Sequence, residues 1–397
     1  AKFATYTGEL QKAGYKTGYT GKGWSPGKLA PGGRIENPAG TSYAKRNLQP
    51  PFKAIRNTDY AGNFDDFLEA VEKETPFCFW LGTSEPHRAY ENGAGKRTGK
   101  DPAKVIVPSI FPDNAIVRSD LLDYYVEIEH FDLMVQRAIA SLEKRGHLDN
   151  TIVVVTSDHG MPFPRAKASL YDWGSRVPLA IRWPRGIRNP GRDVRDFVHL
   201  SDLAPTFIEA AGADVPSMMT ASSLMKIFSD QNMNDRDAAY IAMERHDGCR
   251  EGGKGYPCRA VRTQDYLYIY NFEPGRWPSG SPDPRVCARS IPFGEIDTSP
   301  TKSFMMESRM EHGIAHLAEL SFGMRPAEEL YDLKKDPEQL ANVAGLIEYS
   351  AIQHARRRQL FDHLKKTRDP RVVGGKVEWD HYPYYGRIST PGWKVTE

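Results

Sequence analysis

The chain has 397 residues, of which 40% are hydrophobic and 26% charged, a globular balance for one large domain or two smaller ones. A formal net charge of +2, without a basic run interleaved with aromatics, leaves no footprint for nucleic acid. The longest apolar stretches, such as Thr151–Thr156, are strand-length and far short of a membrane span.

From the N-terminus, Thr7–Gly14 reads as an amphipathic helix that leads into a short strand at Lys16–Thr20. The glycine-rich turn Gly21–Gly27 follows. Tyr60–Lys73 predicts a helix, because Phe64, Phe67, Leu68 and Val71 recur at i, i+3, i+4 and i+7. Pro76–Leu81 is a buried strand, and Arg88–Pro108 a long polar loop. Arg118–Leu142 is the clearest helix, stopped by Gly146. Thr151–Thr156 is a β-branched run suited to a central parallel strand, and Val177–Ile181 is another strand. Ser201-Asp202 opens a helix over Leu200–Gly212. This βαβα order predicts an α/β fold built on a largely parallel sheet flanked by helices.

After about Ser217 the texture changes. Ala238–Met243, Arg259–Arg262 and Tyr266–Asn271 read as short antiparallel strands. Thr301–Ala318 and Leu346–Thr367 read as helices, and Tyr382–Tyr385 opens an aromatic tail. The expected division is a catalytic domain over 1–235 and a smaller α+β subdomain with a short antiparallel sheet over 236–397.

The four cysteines, Cys78, Cys249, Cys258 and Cys287, contain no CxxC pair, which argues against a cysteine zinc site. Cys78 lies in an apolar run and reads as a small buried hydrophobe. Cys249 and Cys258 are near enough in sequence to pair, and spacing alone does not decide it.

The sharpest chemical signal is Thr156-Ser157-Asp158-His159-Gly160, directly after the β-branched run. Ligands collect where parallel strands end. An adjacent carboxylate and imidazole on such a turn can both reach one divalent cation, and Gly160 permits the sharp turn. The competing reading is an Asp turn with a solvated His. Other strand ends deliver Lys22, His87 with Arg88, and, past Pro162-Phe163-Pro164, Arg165 and Lys167. Cations around a metal with a titratable His suit a tetrahedral oxyanion such as sulfate or phosphate.

These stretches resemble the type I sulfatases of the alkaline phosphatase superfamily. Leu10–Gly21 followed by Lys22 is similar to that family's block ending in Gly-Lys; Phe77–His87 resembles its strand ending in Pro-His. Asp149–Pro184 is similar to its second metal block, and Leu330–Val343 resembles its closing signature. Val107–Asp120 and Met161–Tyr171 are closest to the sulfamidase-like and bacterial polysaccharide sulfatases.

The resemblance implies metal ligation by Asp158 and His159. Calcium is the default ion, although His159 stands where most members have Asn and tilts the site toward manganese, with magnesium a further option. It implies catalytic roles for Lys22, His87 and Lys167, with His87 protonating the leaving oxygen or nitrogen. Arg88 matches a substrate-side arginine. Trp24 and Arg165 are further candidate contacts, and Glu244, Arg245 and His246 are candidates to read sugar hydroxyls or carboxylates.

Two departures stand out. No His follows Lys22 at the second position, and no C/S-x-P-x-R run for a formylglycine nucleophile occurs. The family's early Asp-Asp pair is also absent before Lys22. The expectation is that both lie in a preceding segment of roughly 70 to 130 residues. The implied substrate is a sulfated carbohydrate, and export is expected because such glycans lie outside the cytoplasm. A phosphatase or phosphonate monoester hydrolase on the same fold is the alternative, as is an inactive glycan-binding remnant.

Overall fold

The computed structural model describes residues 3–24, 28–230 and 236–395. Ser25–Gly27, the end of the predicted glycine-rich turn, lies outside them. Two compact units form: residues 1–99, 123–155 and 180–236 in the first, and 100–122, 156–179 and 237–397 in the second.

In the first unit, a helix over Tyr6–Lys12 is capped by the Thr5 hydroxyl, which accepts from the Gly8 amide at 3.3 Å. It leads into β1 (Lys16–Gly21), which pairs in parallel with β2 (Thr41–Ser42) and β3 (Phe77–Gly82) in the order β2-β1-β3. The helix Tyr60–Glu69, capped by Asp59 accepting from the Gly62 amide at 2.9 Å, lays Phe64, Phe67 and Leu68 on Phe77, Phe79, Leu142 and Leu148. Gly18 is the reason this packing closes: a Cβ there would meet Phe67 Cδ2 at 2.7 Å. The register sets Gly21 level with Gly82. Lys22 and the Thr83–Arg88 segment therefore leave the sheet at the same carboxyl edge.

The helix Ala115–Lys144 extends the predicted one by a few residues at each end. β4 (Val153–Thr156) and β5 (Leu179–Arg182) form a separate two-stranded sheet. The helix predicted over Leu200–Gly212 is a 3-10 turn at Leu200–Asp202 followed by an α-helix at Leu203–Ala210. Buried Asp202 accepts from the amides of His199 (2.9 Å) and Ser222 (3.1 Å) and from Arg236 (2.7 Å).

The second unit is organised on an antiparallel sheet, β6 (Ala238–Met243), β7 (Cys258–Thr263), β8 (Tyr266–Asn271) and β9 (Glu328–Asp332), in that spatial order. Alternation sorts its residues to two faces. Cys258, Ala260, Leu267 and Ile269 pack with Leu170, Tyr171 and Tyr331. Val261, Tyr268 and Leu330 pack with Leu360 and Leu364 of the helix Ser350–Lys366.

Two predicted features are corrected. The single helix over Thr301–Ala318 is two, Pro300–Glu307 and Ala315–Phe322. Gly313, at φ +89, occupies a left-handed position that no continuing helix contains. Cys249 does not face Cys258: its sulfur lies 3.0 Å from that of Cys287, and all four cysteines are free thiols.

Candidate active site

In the first unit, Lys22 follows β1 and is fixed by its own main chain. Its amide donates to the Gly82 carbonyl at 2.7 Å, and its carbonyl accepts from the Trp80 indole at 2.7 Å. The side chain is thus free to project beyond the edge without loosening the backbone. His87 follows β3, the neighbouring parallel strand; its amide donates to Ser84 at 2.9 Å and its Nδ1 lies 2.5 Å from the Arg88 carbonyl. A donating Nδ1–H leaves Nε2 with the lone pair, so protonation there would make a cationic acid. The Arg88 guanidinium lies 4.3 Å from the centre of the Tyr90 ring, a cation–π contact that orients it. Trp24 is 40% exposed. The structure therefore groups Lys22 with His87 and Arg88 at one strand edge.

In the second unit, Asp158 and His159 sit on the turn after β4. The turn is held by Ser157 Oγ donating to the His159 carbonyl (2.7 Å) and by the Gly160 amide donating to Gly174 (2.9 Å). Gly160 is required: a Cβ would lie 1.8 Å from the Trp173 carbonyl oxygen. His159 Nδ1 is 2.7 Å from the Gly160 carbonyl, and its Nε2 is 3.7 Å from Asp158 Oδ1. With Nδ1 donating, the Nε2 lone pair and the carboxylate fit two positions on one cation. Asp158 is largely exposed. No group of three or more His, Cys, Asp or Glu side chains fit to hold a metal occurs among the described residues.

Lys167 is buried, with Nζ 2.7 Å from Asp297 Oδ2. Two residues before Asp297, Glu295 is fully enclosed and joins His246 Nδ1 at 2.6 Å and Arg250 Nη1 at 2.7 Å. Burial works against charge on Glu295, but Arg250 and His246 outweigh it and hold its carboxyl down to about 2. The reciprocal effect acts on His246. Burial disfavours its cation, yet the hydrogen bond and charge of Glu295 prevail and raise it above the ordinary value. Lys167 is close enough to oppose that rise. Around one third of the His246 side chain stays exposed. A half-open imidazolium is a good donor to an anionic group.

Other expected contacts are committed elsewhere. Arg165 is 3% exposed; its guanidinium donates to the carbonyls of Leu320 (2.8 Å) and Gln339 (2.5 Å) and lies 3.9 Å from the Tyr171 ring centre. Its donors hold main chain, so the geometry gives it a packing role rather than a substrate contact. Glu244 receives Arg259 at 2.6 Å and Arg371 at 2.7 Å. Arg245 donates to the Tyr382 carbonyl at 2.7 Å. Lys302 is buried as well. It donates to the carbonyls of Phe293 (3.0 Å) and Ile296 (2.8 Å), and burial lowers its ammonium to about 8. Sequence reasoning missed Asp297, Glu295 and Arg250. For the two acids the only trace is their i, i+2 spacing in Gly294-Glu295-Ile296-Asp297, a turn-rich stretch of the structure.

Solved structures share this architecture. One is a protein in complex with its substrate D-glucosamine-2-N,6-O-disulfate, at TM-score 0.64 and 19% identity, covering 94% of this chain and 84% of that one. Another is the phosphonate monoester hydrolase of Silicibacter pomeroyi, at TM-score 0.64 and 17% identity, covering 92% and 80%. The fold is thus that of the alkaline-phosphatase-like α/β proteins. The sulfatase family model matches residues 9–213, just over half of the chain, and the model for the C-terminal part of N-sulphoglucosamine sulphohydrolase matches residues 162–277. The chain belongs to the sulfatase family. It is 26% identical to an ulvan-active sulfatase of Formosa agariphila over 77% of this chain and 50% of that protein. To N-sulphoglucosamine sulphohydrolase of Homo sapiens it is 24% identical, over 77% and 64%. It spans about half to two thirds of the length of these relatives.

Proposed function

We propose that the protein hydrolyses sulfate esters or N-sulfate groups of a sulfated oligosaccharide or polysaccharide. The observation that carries the reading is that residues 9–213 and 162–277 match the sulfatase family and the N-sulphoglucosamine sulphohydrolase C-terminal region. Those stretches contain Lys22, His87, Asp158, His159, Lys167 and His246.

The roles follow from the chemistry each group has. Lys22 and Lys167 offset negative charge as the S–O or S–N bond breaks. His87, with Nε2 as the exchangeable site, protonates the leaving oxygen or nitrogen. Asp158 and His159 contribute two donors to a divalent cation, with calcium the first choice and manganese or magnesium next. A bound cation supplies polarisation of the sulfate oxygens. His246, held cationic by Glu295, binds an anionic sugar substituent, and Arg88 and Trp24 line the sugar side. A formylglycine is the proposed nucleophile, in keeping with the family. Export to a compartment that holds sulfated glycans belongs to the same proposal.

The test is release of inorganic sulfate from N-sulfated and 6-O-sulfated glucosamine disaccharides and from ulvan oligosaccharides, beside matched aryl sulfate and aryl phosphate. Sulfate release faster than phosphate release supports the proposal. Dominant phosphate or phosphonate ester cleavage would replace it with a phosphatase or phosphonate monoester hydrolase on the same fold. Binding of sulfated glycan without turnover would reduce the protein to a lectin-like role.

A further inference from the structure

Cys249 and Cys287 lie 38 positions apart and meet at 3.0 Å, both fully buried. Main-chain bonds hold the approach from either side. The Ala288 amide donates to the Gly248 carbonyl at 2.7 Å, and the Ser281 amide to the Cys249 carbonyl at 2.8 Å. Gly294 closes over the pair: a Cβ there would lie 2.5 Å from each sulfur. The two flanks carry one ion-paired network, with His246 and Arg250 on one and Glu295 and Asp297 on the other. Neither remaining thiol competes. Cys258 packs on the antiparallel sheet among Leu170, Tyr171 and Ala260, and Cys78 lies on β3 of the other unit.

We propose that Cys249 and Cys287 close a disulfide that pins the His246–Arg250 loop to the Cys287–Asp297 segment. A sulfur separation of about 2.0 Å is needed, so a shift of about 1 Å in the two side chains is enough. In the open chain, whichever of the two thiols is deprotonated first is the attacking thiolate.

It attacks one sulfur of a small dialkyl disulfide such as glutathione disulfide; that S–S bond breaks and one thiolate leaves with the electron pair. The other cysteine then loses its proton to that thiolate and attacks the protein sulfur of the mixed disulfide, expelling the second thiolate. Two protein thiols are oxidised and one external disulfide is reduced to two thiols. Gly294 encloses the finished pair, so the exchange belongs to folding, before the 287–294 segment closes. The bond removes loop freedom from the unfolded chain and fixes Glu295 against His246.

The test is independent of catalysis and of the proposed activity. The chain is secreted into the oxidising periplasm of a bacterial host, purified without reductant, denatured and alkylated with iodoacetamide. The expected result is alkylation of Cys78 and Cys258 alone. A proteolytic peptide pair linked through Cys249 and Cys287 should separate on dithiothreitol and accept two further alkyl groups. Alkylation of all four cysteines, or a link that includes Cys258 or Cys78, would overturn the proposal. A second reading is thermal: protein reduced with dithiothreitol while denatured, then refolded in reductant, should unfold about 5 °C below the oxidised protein. An unchanged midpoint would remove the pinning role.

Discussion

His246 is poised by Glu295, and its proton is the most accessible reporter of the second unit's anion-facing groups. Its pKa is raised in the folded protein. The cation is therefore present at low pH and is lost as pH climbs through the raised value. The KM for an anionic sugar substrate should accordingly rise as pH climbs above the ordinary imidazole range. His246→Gln keeps a hydrogen bond to Glu295 but carries no charge. It should raise KM at pH 6 by about 10-fold or more, the worth of one charge-assisted hydrogen bond, and flatten the pH dependence. An unaltered profile in that variant would show that His246 does not meet substrate. His87 is tested through kcat. His87→Ala should lower turnover by about 100-fold or more while leaving metal affinity, read by calorimetry, nearly intact; parallel losses of both would exclude the general-acid role. The strand-end residues were legible because polar side chains directly after β-branched or apolar runs have few places to go. Arg165 and Glu244 were misleading for the opposite reason. A charge in a loop sequence looks solvated, and only the fold shows Arg165 buried on carbonyls and Glu244 between two arginines.

At the scale of elements, the helix Ala115–Lys144 carries a buried group whose titration is visible in stability. Glu127 is 3% exposed, and desolvation, with Glu85 and Asp123 nearby, raises its carboxyl from 4.5 to about 8. A group raised on folding stabilises the native state fully below its unfolded pKa, and that stability is lost as pH rises through the folded value. Unfolding free energy should therefore fall between about pH 4.5 and about pH 8. Glu127→Gln should remove that part of the slope while keeping the shape of the side chain, as chemical denaturation across this range would show. An unchanged slope would mean that Glu127 is ionised in the folded protein.

The long periodic helix and strands β6 and β8 were readable from sequence, because their patterns repeat over several residues. β9 was not, since Glu-Glu-Leu-Tyr-Asp has poor strand propensity. It forms because Glu329 accepts from the hydroxyls of Tyr171 (2.6 Å) and Tyr331 (2.7 Å) and from Asn271 (2.8 Å). Those partners are contributed by β8, by β9 itself and by a loop more than 150 residues earlier, and no local window contains them.

At the scale of the whole molecule, stability is unevenly distributed, and the sequence hides it because strand patterns do not show which strands are central in a sheet. In the second unit, β7 and β8 are the central strands of four, and their residues are buried on both faces. Ala260 and Leu267 join one cluster, and Val261 and Tyr268 the other. Opening either strand exposes two cores and breaks two ladders at once, so its amides exchange only through the most costly fluctuations. In the first unit β1 is also central, but β2 gives it two residues of ladder on one side. The tail from Gly374 to Ile388 stands at the other limit: its residues are exposed or half-buried, and its one ordered turn is the 3-10 helix Trp379–His381. Hydrogen exchange followed by mass spectrometry should rank Cys258–Thr263 and Tyr266–Asn271 slowest, Lys16–Gly21 next and residues 374–388 fastest. A local substitution then separates the units. Gly18→Ala wedges a methyl against Phe67 at 2.7 Å and should cost about 1–3 kcal/mol in the first unit. Exchange should quicken in β1 and β3 and stay unchanged in β7 and β8. Equal acceleration in all four strands would mean that the two units unfold as one cooperative body.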